Sequence, residues 1–279
     1  MRLSYCLDPG RPWTQVLELA RRVESAGWHA VYACDHFMVH DPAGLSADGP
    51  MLECWTVMTA LAARTTTVRV GSLVLGNTYR HPAVLANMAA TLDLISQGRL
   101  VLGIGAGWQK NEHAAYGIPL PELPARVAAL DEACAVIRGL LDQRRTTIEG
   151  SFYRLRDAPC DPKPAGPVPL LVAGAGPGVM RVAARHADVW HCWAEPAEFA
   201  RKNEVLDRLL DEAGRRPGDL ARACGDELLG MSPAQAQDRL REYRHAGVDE
   251  FQVCDDARVP VDQALDQIDA LTQTVLAQG

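Results

Sequence analysis

The stretch that most limits what this chain can become is Val101–Trp108, Val-Leu-Gly-Ile-Gly-Ala-Gly-Trp, a short apolar run that ends in alternating glycines. Val101, Leu102 and Ile104 suit a strand buried on both faces, the kind found in a parallel sheet covered by helices. Gly105 and Gly107 then carry no side chain to keep the backbone from approaching a ligand. The figure recurs where Pro169–Ala173 runs into Gly174-Ala175-Gly176-Pro177-Gly178 ahead of a helical stretch. The free N–H groups at such a helix start can hold an anion. Either loop alone is equally well a tight strand-to-helix turn. Two of them at the ends of similar strands point to a phosphate site.

Strand-like and helix-like stretches alternate along the whole chain. Arg2–Leu7 reads as a strand and Trp13–Ala26 as a helix, with Val16, Leu17, Ala20 and Val23 on one face and Gly27 as the stop. The second pair is Ala30–Ala33 and Glu53–Ala63, and the third is Val68–Leu75 and Ala83–Ile95, stopped at Gly98. Arg99–Ile104 is the fourth strand, followed by a long helix, Ala125–Leu141, and by Thr146–Leu155, a surface hairpin around Gly150. Pro159–Pro169 returns the chain to the core, where Leu170–Ala173, Val179–Arg185, Asp188–Trp193 and Pro196–Ala213 continue the alternation. The seventh strand, Ala221–Gly230, carries Asp226 and Glu227 where a buried strand is usually apolar, so an irregular barrel is expected there. Pro233–His245, Glu250–Cys254 and Val261–Leu276 complete the pattern.

Repeated alternation of this kind predicts a single closed (β/α)8 TIM barrel over residues 1–279, because parallel strands need crossover helices and closure removes both sheet edges. An open doubly wound sheet would place Gly-x-Gly-x-x-Gly after its first strand. Here the glycines follow the fourth and fifth strands, and Val179 stands where the third glycine would be.

Charge and cysteine usage narrow the function. With 28 basic and 35 acidic residues there is no electrostatic footprint for nucleic acid. No apolar run approaches the ~20 residues of a membrane span, and the start lacks the long apolar middle of a signal peptide, so a cytoplasmic location is expected. The 8 cysteines form no Cys-x-x-Cys pair and read as reduced thiols. His186, Asp188 and His191 do not make a metal site, since Asp188 and His191 on one strand would point to opposite faces.

Candidate chemistry lies just beyond the strand ends, the active face of such a barrel. The second strand ends in Cys34-Asp35-His36-Phe37, where an imidazole can exchange a proton near neutral pH and a carboxylate can orient a neighbour. A polar pair that merely satisfies local backbone is the plain alternative. The third strand runs into Gly76-Asn77-Thr78-Tyr79-Arg80-His81-Pro82, in which Arg80 and His81 are anion ligands or helix-entry residues. Trp108 and Trp190-His191-Cys192-Trp193 add aromatic surface or partly buried packing.

Together these residues resemble the luciferase-like monooxygenase superfamily, and within it the deazaflavin (coenzyme F420)-dependent oxidoreductases. The matching pieces are Ala20–Phe37, Met51–Thr56, Val68–Trp108 with Tyr79-Arg80-His81-Pro82 and Ala89-Ala90-Thr91-Leu92-Asp93, Phe152–Pro164 and Pro169–Trp190. The resemblance implies F420 at the open end of the barrel, with FMN as the alternative. Its phosphate would sit on Gly105-Ala106-Gly107 and Gly174-Ala175-Gly176, with Asp35, Asn77 and Trp108 around the ring and His36 as the acid/base. It also implies a cis peptide at Leu73–Val74 as a backstop for the ring. The implied activity is hydride transfer between the cofactor and a small organic substrate; whether the barrel pairs into a homodimer is left open by the sequence. The alternatives are an FMN-dependent monooxygenase and a flavin-binding protein without turnover. Sugar-phosphate dehydrogenases of the superfamily place a glutamate directly after the glycines of the fourth strand, where this chain has Trp108. That departure argues against their substrate class.

Overall fold

The computed structural model describes residues 1–39, 48–228 and 230–276. Helices and strands follow one another as β1 (Arg2–Leu7), α1 (Trp13–Ser25), β2 (Ala30–Ala33), α2 (Cys54–Arg64), β3 (Arg69–Ser72), β4 (Leu75–Gly76), α3 (Pro82–Ser96), β5 (Leu100–Gly105), α4 (Lys110–Tyr116) and α5 (Leu123–Asp142). The second half contains β6 (Thr146–Glu149), β7 (Arg154–Ala158), β8 (Leu170–Ala173), α6 (Pro177–His186), β9 (Val189–His191), α7 (Pro196–Glu212), β10 (Ala221–Asp226), α8 (Pro233–His245), β11 (Glu250–Cys254) and α9 (Val261–Leu276).

The sheet runs β3-β2-β1-β11-β10-β9-β8-β5-β4 and closes through a β3–β5 pairing, giving the expected parallel barrel. Its seam joins the two ends of the chain, with Arg2 opposite Glu250 and Cys6 opposite Cys254. Strand alternation then divides the side chains into two layers. Leu3, Tyr5 and Leu7 face the helices, whereas Cys6, Ala30, Tyr32, Leu73, Val101, Leu171, Val189 and Ala223 fill the lumen. Deep in the lumen, the buried Glu250 carboxylate accepts hydrogen bonds from Ser4 Oγ at 2.7 Å and Tyr32 Oη at 2.8 Å. The helices start where their sequences provide for it. Glu53 caps α2 by accepting from the Trp55 and Thr56 amides, and Ser232 and Gln235 form a capping box on α8. Among the described residues no helix is long and apolar enough to cross a membrane.

Three expectations are corrected. The third strand is not continuous over Val68–Leu75, because β3 stops at Ser72 and a cis peptide joins Leu73 to Val74 before β4 resumes. The seventh strand is regular: β10 pairs with β9 from Ala221 to Ala223 and with β11 from Ala223 to Asp226. Asp226 falls at its mouth end, where Arg239 Nε donates to it at 2.8 Å, so the carboxylate never enters the core. The short helix α4, which the sequence reading lacks, sits directly behind the fourth-strand glycines.

Candidate active site

The ends of β2, β4 and β5 and the start of α4 meet at the C-terminal mouth of the barrel. His36 Nδ1 lies 2.8 Å from Glu112 Oε1, and the other carboxylate oxygen accepts from the Phe37 amide at 2.8 Å and the Met38 amide at 3.2 Å. Tyr79 Oη donates to the same Glu112 carboxylate in a short hydrogen bond. Glu112 has no exposed side-chain surface, whereas His36 keeps 23%. Burial alone would disfavour the charged imidazole, but the hydrogen bond and charge of Glu112 outweigh it and hold His36 above the usual histidine range. Burial would likewise raise the Glu112 carboxyl, yet its bonds from His36, Tyr79 and Phe37 keep it below the usual carboxylate range. The result is an imidazole at the mouth, held by a carboxylate 76 residues away in sequence.

Asp35, next in sequence, serves a different partner. Its buried carboxylate is gripped by both Arg80 Nη atoms at 2.7 and 3.0 Å and by the Gly76 amide at 2.9 Å, while Arg80 also reaches Glu53 at 2.7 Å. Arg80 is thereby a tie between the β2 end, the β4 turn and the start of α2. His81 is the N-cap of α3, accepting from the Ala83 amide, with Pro82 in the first helical turn. Of the two roles open to His81, the structure shows helix entry.

The glycine loops lie on the adjoining side of the mouth. Gly107 has φ +78, and a Cβ there would sit 2.7 Å from Thr78 Oγ1. That hydroxyl is in turn 2.8 Å from His113 Nε2, which ties the loop to α4. A Cβ on Gly105 would lie 2.9 Å from a Val74 methyl, so the cis Leu73–Val74 segment packs directly against the β5 backbone. Gly176 differs: nothing lies within 4 Å of where its Cβ would be, and Ala175, Gly176 and Pro177 are exposed at the N-terminus of α6. The side chains of Arg126 and Lys202 donate to the carbonyls of Gly107 and Ala175 respectively. Asn77 is 8% exposed; its amide nitrogen donates to Tyr153 Oη at 3.2 Å, and its buried Oδ1 has no protein partner. Bare backbone at a helix start, two cations behind it and an orphaned amide oxygen beside the cis segment fit a phosphorylated ring compound.

The aromatic candidates separate. Trp190 is buried and stacks on Phe199 of α7, so it belongs to the core. Trp108 is 52% exposed, its ring edge-on to His36 with centroids 5.3 Å apart. Trp193 is 53% exposed and edge-on to His191 at 4.6 Å. His191 is buried, has no partner at Nε2, and is pushed down to about 3 by desolvation, which keeps the imidazole neutral. Asp188 binds Arg138 and the Leu170 amide, and His186 binds Asp131, so the three do not converge. All eight cysteines are free, and Cys6 and Cys34 place their sulfurs 3.5 Å apart in the lumen just below the mouth.

Glu112, Tyr79, Thr78, Arg126 and Lys202 are the site residues that sequence reasoning missed. Only Tyr79 and Thr78 had a signal, their place in the turn after the third strand.

A closed parallel barrel with an imidazole–carboxylate pair and two glycine loops at its C-terminal mouth is an enzyme scaffold of the TIM class. The chain belongs to the luciferase-like monooxygenase family, whose profile matches residues 2–270. An F420-dependent glucose-6-phosphate dehydrogenase from Kineococcus radiotolerans is 34% identical over 232 residues, which cover 81% of this chain and 67% of that one. Another so named, from Amycolatopsis mediterranei, is 38% identical over 178 residues, covering 63% of this chain and 52% of its own. The chain thus spans between about half and two thirds of the relatives it matches. The coenzyme F420-dependent tetrahydromethanopterin reductase of Methanopyrus kandleri superposes with a TM-score of 0.82 at 18% identity, over 99% of both chains. That likeness speaks for the fold.

Proposed function

We propose that the protein is an F420-dependent oxidoreductase that moves a hydride between the deazaflavin and a small organic substrate. The observation that carries this reading is the His36–Glu112 pair beside the exposed Trp108 ring, next to two glycine loops fit for a phosphate. The sequence likeness to F420-dependent dehydrogenases supports F420 over FMN. When bound, the deazaflavin supplies a ring carbon that carries hydride and reacts poorly with oxygen.

The chain's own residues account for the rest. The backbone around Gly107 and Gly176 and the start of α6 would hold the phosphate, with Arg126 and Lys202 behind the loops. Leu73–Val74 would back the ring, and Asn77 Oδ1 would accept from its polar edge. Because His36 Nδ1 is committed to Glu112, Nε2 is the atom that exchanges a proton with the substrate. Glu112 fixes the tautomer of the neutral ring and stabilises the charged one. Tyr79 and the Phe37 and Met38 amides hold that carboxylate still, so it does not itself become the acid.

Titration with F420 and, separately, with FMN tests the reading, followed by absorbance and fluorescence. Saturable F420 binding with weak or no FMN binding is expected. Tight FMN binding without F420 binding would replace it with a monooxygenase, and F420 binding without turnover of any substrate with a binding protein. The reading extends to a homodimer in the cytoplasm, tested by gel filtration and by cell fractionation.

A further inference from the structure

Away from the glycine loops, the mouth changes character. Trp193 follows β9 and packs over Gly225 of β10, where a Cβ would lie 2.5 Å from the indole ring. Ala221 and Ala223 face the lumen, so by strand alternation Gly225 does too, and the strand has made room for the indole at the lumen rim. Below it the half-buried lumen lining is Cys34, Val74, Ala173 and Cys254, all small or apolar. Across the mouth, Trp108 presents a second indole against His36.

The cations on this side are already spent. Arg11 binds both oxygens of Asp255 at 2.7 and 2.8 Å, Arg80 is held by Asp35 and Glu53, Arg239 by Asp226 and Glu195, and the exposed Arg258 by both oxygens of Asp256. Residues 40–47, 229 and 277–279, which the structure does not describe, contain no lysine or arginine. The remaining cations near the mouth, Arg126 and Lys202, donate to the glycine-loop carbonyls, and Lys110 opens α4 directly behind the β5 loop. Positive charge is therefore gathered where the cofactor phosphate belongs. Among the described residues, the rest of the mouth pairs its cations with carboxylates, adds the exposed carboxylate of Glu227, and is otherwise aromatic.

We infer that the substrate is an uncharged aromatic or alicyclic alcohol or ketone, seated between Trp193 and the Trp108–His36 edge, and not a sugar phosphate. The inference rests on the F420 reading above. A flat apolar body stacks on indole and needs no counter-ion, whereas a phosphate would have to displace a carboxylate from its arginine. In the oxidative direction the carbinol carbon gives its hydride, with the bonding pair, to the deazaflavin. The hydroxyl proton goes to His36 Nε2, and a C=O bond forms; reduction is the reverse.

The test uses full-length protein loaded with F420, with acetophenone and 1-phenylethanol as neutral probes and glucose 6-phosphate as the charged one. Calorimetry is expected to show acetophenone binding and no measurable glucose 6-phosphate binding, with F420 reduction by 1-phenylethanol only. Trp193→Ala should weaken acetophenone binding at least tenfold while F420 affinity stays within twofold, and Trp193→Phe should restore most of the loss. Glucose 6-phosphate binding as tightly as acetophenone, or a Trp193→Ala variant whose acetophenone affinity is unchanged, would overturn the inference and leave the cofactor assignment standing. Failure of F420 itself to bind would overturn that assignment and this inference with it.

Discussion

In a half-buried histidine whose Nδ1 faces a fully buried carboxylate at 2.8 Å, burial disfavours the charged ring and the carboxylate outweighs it. His36→Ala should leave F420 affinity close to that of the parent while single-turnover hydride transfer falls by roughly 10²- to 10⁴-fold. A merely structural histidine would show the opposite pattern, with lower affinity or stability and an unchanged rate in the loaded protein. Glu112→Gln keeps an oxygen for Nδ1–H and removes the charge, so the His36 pKa should fall and the pH–rate limb that reports it should move to lower pH. The linked stability has a definite sign. Because His36 is raised in the folded state, its contribution is complete below the unfolded value of about 6.5 and is lost as pH rises through the folded one. Glu112→Gln should flatten that stretch of the stability–pH curve, measured by urea denaturation. A limb that stays where it was would remove Glu112 from the proton chemistry.

At the scale of the element, the two glycine loops make contrasting predictions. Gly107 has both a left-handed φ and a Thr78 hydroxyl where a Cβ would go, so Gly107→Ala should destabilise the fold by about 1 kcal/mol or more, read from the denaturation midpoint. Gly176 has open space and an ordinary φ of −77, so Gly176→Asp should fold normally and lose F420 affinity by placing a negative charge beside the phosphate. Equal F420 affinity in parent and Gly176→Asp would move the phosphate elsewhere. Helix α4 shows why an element can escape a sequence reading yet complete a site. In Lys110–Tyr116 only Glu112 and His113 are buried, both polar, so there is no apolar period to detect. The helix is held by His113, between the Gln109 carbonyl and the Thr78 hydroxyl, and by the Glu112 carboxylate, contacts that exist only once the barrel has formed.

The barrel as a whole depends on one seam, where β1 meets β11 and the chain's two ends become neighbours. Arg11 and Asp255, 244 residues apart, close it with side chains that are 1% and 0% exposed. Arg11→Ala would strand a buried carboxylate, and a loss of about 3–5 kcal/mol is expected in urea unfolding. Phe199→Ala, which removes the partner of Trp190 in the outer layer, should cost a similar ~3–5 kcal/mol. The two losses should add, since Arg11 and Asp255 pair at the β1–β11 seam while Phe199 packs on Trp190 between α7 and β9. Marked non-additivity would mean that the seam and the α7 face are coupled. A loss below 1 kcal/mol for Arg11→Ala would show that water reaches Asp255.

Local pattern alone determined the alternation of strands and helices, the closed parallel barrel, the two glycine loops and the imidazole beyond the second strand, because each is written within a few consecutive residues. The Asp226–Glu227 pair misled for the same reason: local composition reports polarity without saying that β10 ends at Asp226, with Arg239 of α8 there to meet it. Only the tertiary structure decided that Glu112 holds His36, that Asp35 is bound to Arg80, that Trp190 is core while Trp193 is rim, and that Arg11 closes the seam. These are contacts between residues tens to hundreds of positions apart, and no periodicity records them; they appear when closure of the barrel brings the strand ends to one mouth and makes burial and charge pairing act across the chain.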